Sequence, residues 1–153
     1  MKKLNRKGFT LVELLAVIII LAIVVGITIP AVLTTIRGTR EKAFQSSVDE
    51  VANWLDRQAQ SFLVGDSEVS TTDTTYIAKC TTAATSTTAA TINATCTVDS
   101  ALLAAAGVKP ANFSNSGNEI EYDSGTGRYC VKLTGAEKGD YQSTEQLKSA
   151  TCS

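Results

Sequence analysis

The run from Phe9 to Ile29 carries only Thr10, Glu13 and Thr28 as polar side chains. At ~1.5 Å rise per residue, a helix of that extent spans roughly 30 Å, about one bilayer core. This segment can cross a membrane, so the chain must be read as a membrane-length helix followed by whatever else folds. The overall composition hides this: 44% apolar and 19% charged residues are ordinary for one globular domain. Lys2, Lys3, Arg6 and Lys7 precede the span, and positive charge next to a membrane helix stays on the cytoplasmic side. The C-terminal part is therefore expected to face outward. Arg37, Arg40 and Lys42 dilute the asymmetry, with Glu41, Asp49 and Glu50 among them. A secretory signal peptide has an apolar stretch of only roughly 7 to 15 residues with an A-x-A-like cut after it. Here the run is longer and continues into a helical pattern. A lipoprotein signal needs a cysteine directly after the apolar stretch, and the first cysteine is Cys80.

Glu13 stands out within that span. An ionised carboxylate at the centre of a membrane helix costs about 2.5 to 3.5 kcal/mol on insertion scales, and less near the interface. Snorkelling to the cytoplasmic headgroups is one way to lower that cost. Cleavage between Gly8 and Phe9 offers another, because it creates an α-amine four residues before Glu13 and removes the leader's four positive charges. An amine and a carboxylate are then available to pair.

The segment KGFTLVELLAVIIILAIVVGITIP resembles the class III signal sequence and N-terminal helix of type IV pilins and their relatives. The points of resemblance are glycine before the cut, phenylalanine after it, glutamate four residues further on, and an apolar helix running to a proline. They cover about residues 2 to 36 closely and the following amphipathic helix more loosely. The resemblance implies that a prepilin peptidase cuts between Gly8 and Phe9 and methylates the new amine of Phe9. It also implies that Glu13 neutralises the N-terminus of a neighbouring subunit as the helix leaves the membrane for a filament core. A cytoplasmic assembly ATPase and a membrane platform protein would drive growth of the homo-oligomeric helical filament. Motility by twitching, adhesion and DNA uptake are the outcomes of such a machine.

Gly26 and Pro30 are four apart, and Pro30 has no N–H to give the Gly26 carbonyl. Glycine itself weakens a helix by about 1 kcal/mol relative to alanine. The helix is expected to kink or loosen here, and in pilin-like filaments this is where the chain melts and extends. From Ala31 the pattern becomes amphipathic. Phe44, Val48, Val51, Leu55, Ala59 and Phe62 recur every three or four residues, while Glu41, Gln45, Asp49, Asn53, Asp56 and Gln60 lie mostly off that stripe. One face packs on a globular head, and Gly65 is a plausible C-terminal stop.

The expected organisation is a leader at 1–8, a transmembrane and filament-core helix at 9–30, an amphipathic helix at 31–65 and a head at 66–153. The expected fold class is α+β, with the long helix packed on a small antiparallel sheet. Segment Asp66 to Asp99 is rich in Thr, Ser and Ala, yet Tyr76 and Ile77 lead to Cys80, and Ile92 leads to Cys96 and Val98. These stretches read as edge strands or an ordered loop. Ser100 caps a short helix over 101–106 closed by Gly107, and alternation on either side of SGTGR gives a hairpin from Glu119–Tyr122 and Tyr129–Leu133. Sequons at Asn93 and Asn112 are assigned no function, because such tripeptides arise often by chance.

Four cysteines allow three connectivities, which the residues alone leave open. Cys80 with Cys96 and Cys130 with Cys152 would close local loops. In that pairing the second bridge ties the tail YQSTEQLKSATC to the hairpin and resembles the C-terminal disulfide loop of many type IV pilins. The absence of C-x-x-C spacing and of any histidine argues against a zinc site. No catalytic residue set, cofactor or metal site is expected. Removing the leader's four basic residues leaves ten against 15 acidic ones, a net charge near −5, which is no direct nucleic-acid footprint.

The function expected is a structural pilus subunit, held in the cytoplasmic membrane with its C-terminus outside and later displayed in a surface filament. A minor pilin, competence pilin or type II secretion pseudopilin shares the same N-terminus. A monomeric membrane-anchored surface binding module is the alternative of another class.

Overall fold

The structure is a computed structural model in which residues 10–65, 72–136 and 148–152 are described. It shows a long N-terminal helix followed by a small antiparallel sheet, the α+β pilin-like architecture. The chain divides into two units, Met1–Gly38 and Thr39–Ser153. Helix α1, Leu11–Val64, supplies the described regular structure of the first unit and the opening helix of the second.

Helix α1 is unbroken from Leu11 to Val64 although Gly26, Pro30 and Gly38, residues that disfavour a helix interior, lie within it. Its apolar half is richer in β-branched Val and Ile than in Leu and Ala, so propensity alone does not account for its length; Gly65 ends it in a left-handed conformation with φ of 60°. In the first unit the helix continues through Gly26 and position 30. In the second unit its expected stripe is the core face: Phe44, Val48, Val51, Leu55 and Ala59 are buried, and Phe62 packs against them.

After α1 comes helix α2, Thr74–Cys80, then strands β1, Thr81–Thr82, and β2, Thr91–Ile92, which pair antiparallel. The stretch leading to Cys80 is thus a helix, not an edge strand. Asp73 decides this: its carboxylate accepts the Thr75 N–H at 2.6 Å as an N-cap, while its own N–H donates to Gln58 Oε1 of α1 at 2.7 Å. Helical spacing then buries Tyr76 and Cys80 on one face. Helix α3, Ser100–Ala105, is capped by Asp99, not by the expected Ser100. The Asp99 carboxylate accepts the Leu102 N–H at 2.9 Å and pairs with Lys79 of α2. Lys79 first, and the Leu102 N–H second, hold its carboxyl below the usual carboxylate range.

A short 3-10 turn, Pro110–Asn112, leads to β3, Glu119–Asp123, and β4, Arg128–Thr134. They form the expected hairpin with Ile120 opposite Val131 and Tyr122 opposite Tyr129. Gly127 turns the chain with φ of 69°. Strand β5, Lys148–Ala150, adds to the far side of β4, so the sheet order is β3-β4-β5. The other edge is partly covered: Cys96 N–H donates to the Ile120 carbonyl and Tyr122 N–H to the Ala94 carbonyl. Ile120, Val131 and Leu133 on the sheet join Leu102 and the α1 stripe in one core.

Candidate functional site

The N-terminal end of α1 is closed by a reciprocal cap. Thr10 Oγ1 accepts the Glu13 N–H at 3.2 Å, and Glu13 Oε2 accepts from the Thr10 N–H at 2.9 Å and from its hydroxyl at 3.0 Å. The first turn of a helix leaves its N–H groups without intrahelical partners, and a T-x-x-E arrangement satisfies two of them at once. Glu13 therefore has a local structural task in addition to its charge. The spacing Thr10-Leu11-Val12-Glu13 announces this cap in the sequence. Reading Glu13 only as a misplaced membrane acid overlooks Thr10. Among the described residues, the carboxylate's bonds all run through Oε2.

Beyond the cap, the large apolar side chains from Leu11 to Ile36 are all exposed, from 81% at Leu11 to 41% at Ile36. Among the described residues, α1 is long and apolar enough to cross a membrane, and none of its most apolar window is buried. Its few hydroxyls fold back on the helix: Thr28 donates to the Val25 carbonyl at 3.4 Å, and Thr34 and Thr35 donate to the Ala31 carbonyl at 2.8 and 3.1 Å. That leaves a smooth hydrocarbon surface. A Cβ built on Gly26 meets nothing within 4 Å, so the glycine is not required there by packing within the chain. The leader with Lys2, Lys3, Arg6 and Lys7, and the cut site Gly8 and Phe9, lie outside the described residues, as does the side chain of Pro30.

The head is built around a second acid whose burial the amphipathic pattern did not reveal. Asp56, one of the residues placed off the stripe, is buried. It accepts the Tyr129 N–H at 2.8 Å and Arg128 Nε at 3.2 Å, tying α1 to the start of β4. No local signal identifies it, since its partners lie more than seventy residues away in sequence. Beside it, Tyr76 and Tyr129 share a hydroxyl hydrogen bond of 2.8 Å inside the core. Burial pushes both phenols above their ordinary range, and the Tyr76 hydroxyl raises Tyr129 further. Trp54, Phe62 and Tyr122 surround this pair at ring distances of 4.9 to 6.4 Å. These rings rigidify the head.

The disulfides are Cys80 with Cys96 and Cys130 with Cys152. This is the locally closed pairing of the three. The first bridge links α2 to the segment beside β3, and the second links β4 to the residues after β5. The tail residues before Lys148 lie outside the described set. Of the sequons, Asn112 is buried and Asn93 Oδ1 accepts the Thr82 hydroxyl at 2.5 Å.

The functional candidate is thus the capped apolar helix, and the head is a disulfide-closed body. Neither a curated protein nor a solved structure matches the chain. Residues 3–29, however, are matched by the family model for the prokaryotic N-terminal methylation motif, and the chain therefore carries the class III signal of type IV pilins.

Proposed function

We propose that the chain is a structural subunit of a type IV pilus, cut between Gly8 and Phe9 by a prepilin peptidase, N-methylated on Phe9 and polymerised through α1. The methylation motif supports a pilin-like or pseudopilin secreted subunit, with prepilin-peptidase processing and pilus assembly as its implied fate. The observation that carries the reading further is the exposed apolar surface that follows the motif from Leu11 to Ile36. Fully covering one Leu, Ile or Val side chain is worth about 1.5 to 3 kcal/mol, so this helix needs lipid or protein around it along its whole apolar length. Lipid serves first, with the basic leader inside and the head outside. Copies of the same helix serve afterwards.

Glu13 then has two roles. Oε2 keeps the cap with Thr10 while the other carboxylate oxygen accepts the methylated amine of a neighbouring Phe9, which gives an ion pair inside an apolar bundle. Gly26 and Pro30 provide the stretch that melts when helices pack. The assembly ATPase and platform protein supply the work, and the chain contributes shape and self-association, not catalysis. Adhesion, twitching motility or DNA uptake would follow from the assembled filament.

The test is to shear cells that express the chain and to examine the released material by electron microscopy with an antibody against the head. Labelled filaments along their length support a major subunit, and labelling at sparse points supports a minor one. Recovery of the chain only as membrane-bound monomer would contradict the filament reading and favour a membrane-anchored binding module.

A further inference from the structure

The two disulfides close loops of similar length, with sequence separations of 16 and 22. Loop-closure entropy grows only with the logarithm of loop length, so it barely distinguishes them. Their surroundings differ sharply. Cys80 and Cys96 are both buried, in the same core cluster as Tyr76 and Leu102. Cys130 is half-buried and Cys152 is exposed. No described residue after Leu133 belongs to the core cluster.

What holds the tail, apart from its bridge, is polar and peripheral. β5 pairs with β4 over Lys132–Ala150, Leu133–Ser149 and Thr134–Lys148. Thr151 N–H donates to the Val131 carbonyl at 3.0 Å, and Val131 N–H donates to Thr151 Oγ1 at 3.0 Å. Ser149 Oγ donates to Gln45 Oε1 of α1. Hydrogen bonds of this kind exchange with water and contribute modestly each. Buried apolar contacts, which set the cost of sub-global opening, are concentrated elsewhere.

We propose that Cys130–Cys152 is a thiol-labile latch: a dithiol reductant opens it and releases β5 from β4, while Cys80–Cys96 keeps the head folded. A thiolate of the dithiol attacks Sγ of the exposed residue Cys152, forming a mixed disulfide, and Cys130 leaves as a thiolate that takes a proton from water. The second sulfur of the dithiol then displaces Cys152, which is protonated in turn. The protein gains two electrons and two protons, and the dithiol becomes its own disulfide. Access to the attacked sulfur controls the rate, and of the two bridges this one alone includes an exposed cysteine. The opened form presents the outer edge of β4 without its partner strand, a surface competent to pair with another strand. The latch depends on the head alone and is independent of the filament reading.

The experiment uses the full chain in detergent micelles, titrated with dithiothreitol, quenched with N-ethylmaleimide and mapped by peptide mass spectrometry. Cys130 and Cys152 should be labelled at reductant concentrations at least about tenfold below those that label Cys80 and Cys96. At that point the far-ultraviolet circular dichroism should be unchanged, and trypsin should cut after Lys148 at least about tenfold faster, as expected for a locally released segment. Simultaneous labelling of all four cysteines, or an unchanged cutting rate at Lys148 once Cys130 and Cys152 are labelled, would overturn the proposal. The double variant Cys130→Ser with Cys152→Ser should fold with Cys80–Cys96 formed and be cut at Lys148 like the reduced chain. Failure of that variant to fold would overturn it as well.

Discussion

Glu13→Ala should lower filament yield at least about tenfold while leaving membrane insertion intact. Removing one partner of a buried ion pair leaves the other charge uncompensated, at a cost of about 3 to 5 kcal/mol. Each 1.4 kcal/mol is a factor of ten in an equilibrium, so a loss of this size at every subunit contact is incompatible with a long polymer. Insertion itself should become easier, since the substitution takes a carboxylate out of the span. The cap geometry adds a control. Thr10→Ala removes the hydroxyl that accepts the Glu13 N–H and donates to Oε2, yet keeps the Thr10 N–H on Oε2. That change costs the helix end about 0.5 to 2 kcal/mol and leaves the acid in place, so it should reduce filaments far less than Glu13→Ala. Equal loss in the two variants, measured as subunit recovered in sheared fractions, would mean that Glu13 acts only as a cap.

In the head, the largest effect is expected at Leu55. It is 0% exposed and sits at the centre of the α1 stripe that packs against the core. Leu55→Ala should destabilise the head by about 2 to 5 kcal/mol, the sum of lost transfer energy and a cavity that collapses only partly. For a small domain this corresponds to a fall in Tm of roughly 8 °C or more. Leu33→Ala, on the exposed apolar stretch of the first unit, should leave the melting of the head within about 0.5 kcal/mol of the parent. Thermal unfolding of the full chain in detergent, followed through the near-ultraviolet signal of the buried Tyr76, Tyr129 and Trp54, distinguishes the two. A Leu55→Ala chain that melts like the parent would contradict the assignment of the core.

The parts of this fold that were legible in the sequence are those in which one periodicity or one turn decides the outcome. The stripe Phe44, Val48, Val51, Leu55 and Ala59 reads as a helix face without outside help, and the alternation around SGTGR reads as a hairpin. Gly65 marks a helix end because a left-handed residue there favours glycine. The N-terminal segment was legible for another reason. Glycine, phenylalanine and glutamate at fixed spacing before an apolar run form a sparse pattern, and the methylation-motif match covers that segment.

The remaining features depend on partners distant in sequence or on local caps masked by a stronger neighbouring signal. Thr74–Cys80 is short and β-rich in composition, and Asp73 with Gln58 makes it a helix. Asp56 looks like a solvated residue until β4 arrives to donate to it. Strand β5 has little hydrophobic alternation of its own, and its pairing with β4 makes it a strand. The cap at Thr10 was visible in the residues but was eclipsed by the charge of Glu13.

The central claim is that the residues 3–29 motif is processed and that the resulting chain polymerises through its apolar helix. The measurement that addresses it most directly is the intact mass and N-terminal sequence of the subunit recovered from sheared surface filaments. The expected subunit begins at N-methylated Phe9. A subunit retaining Met1, or one cut after Ile29, would contradict the claim.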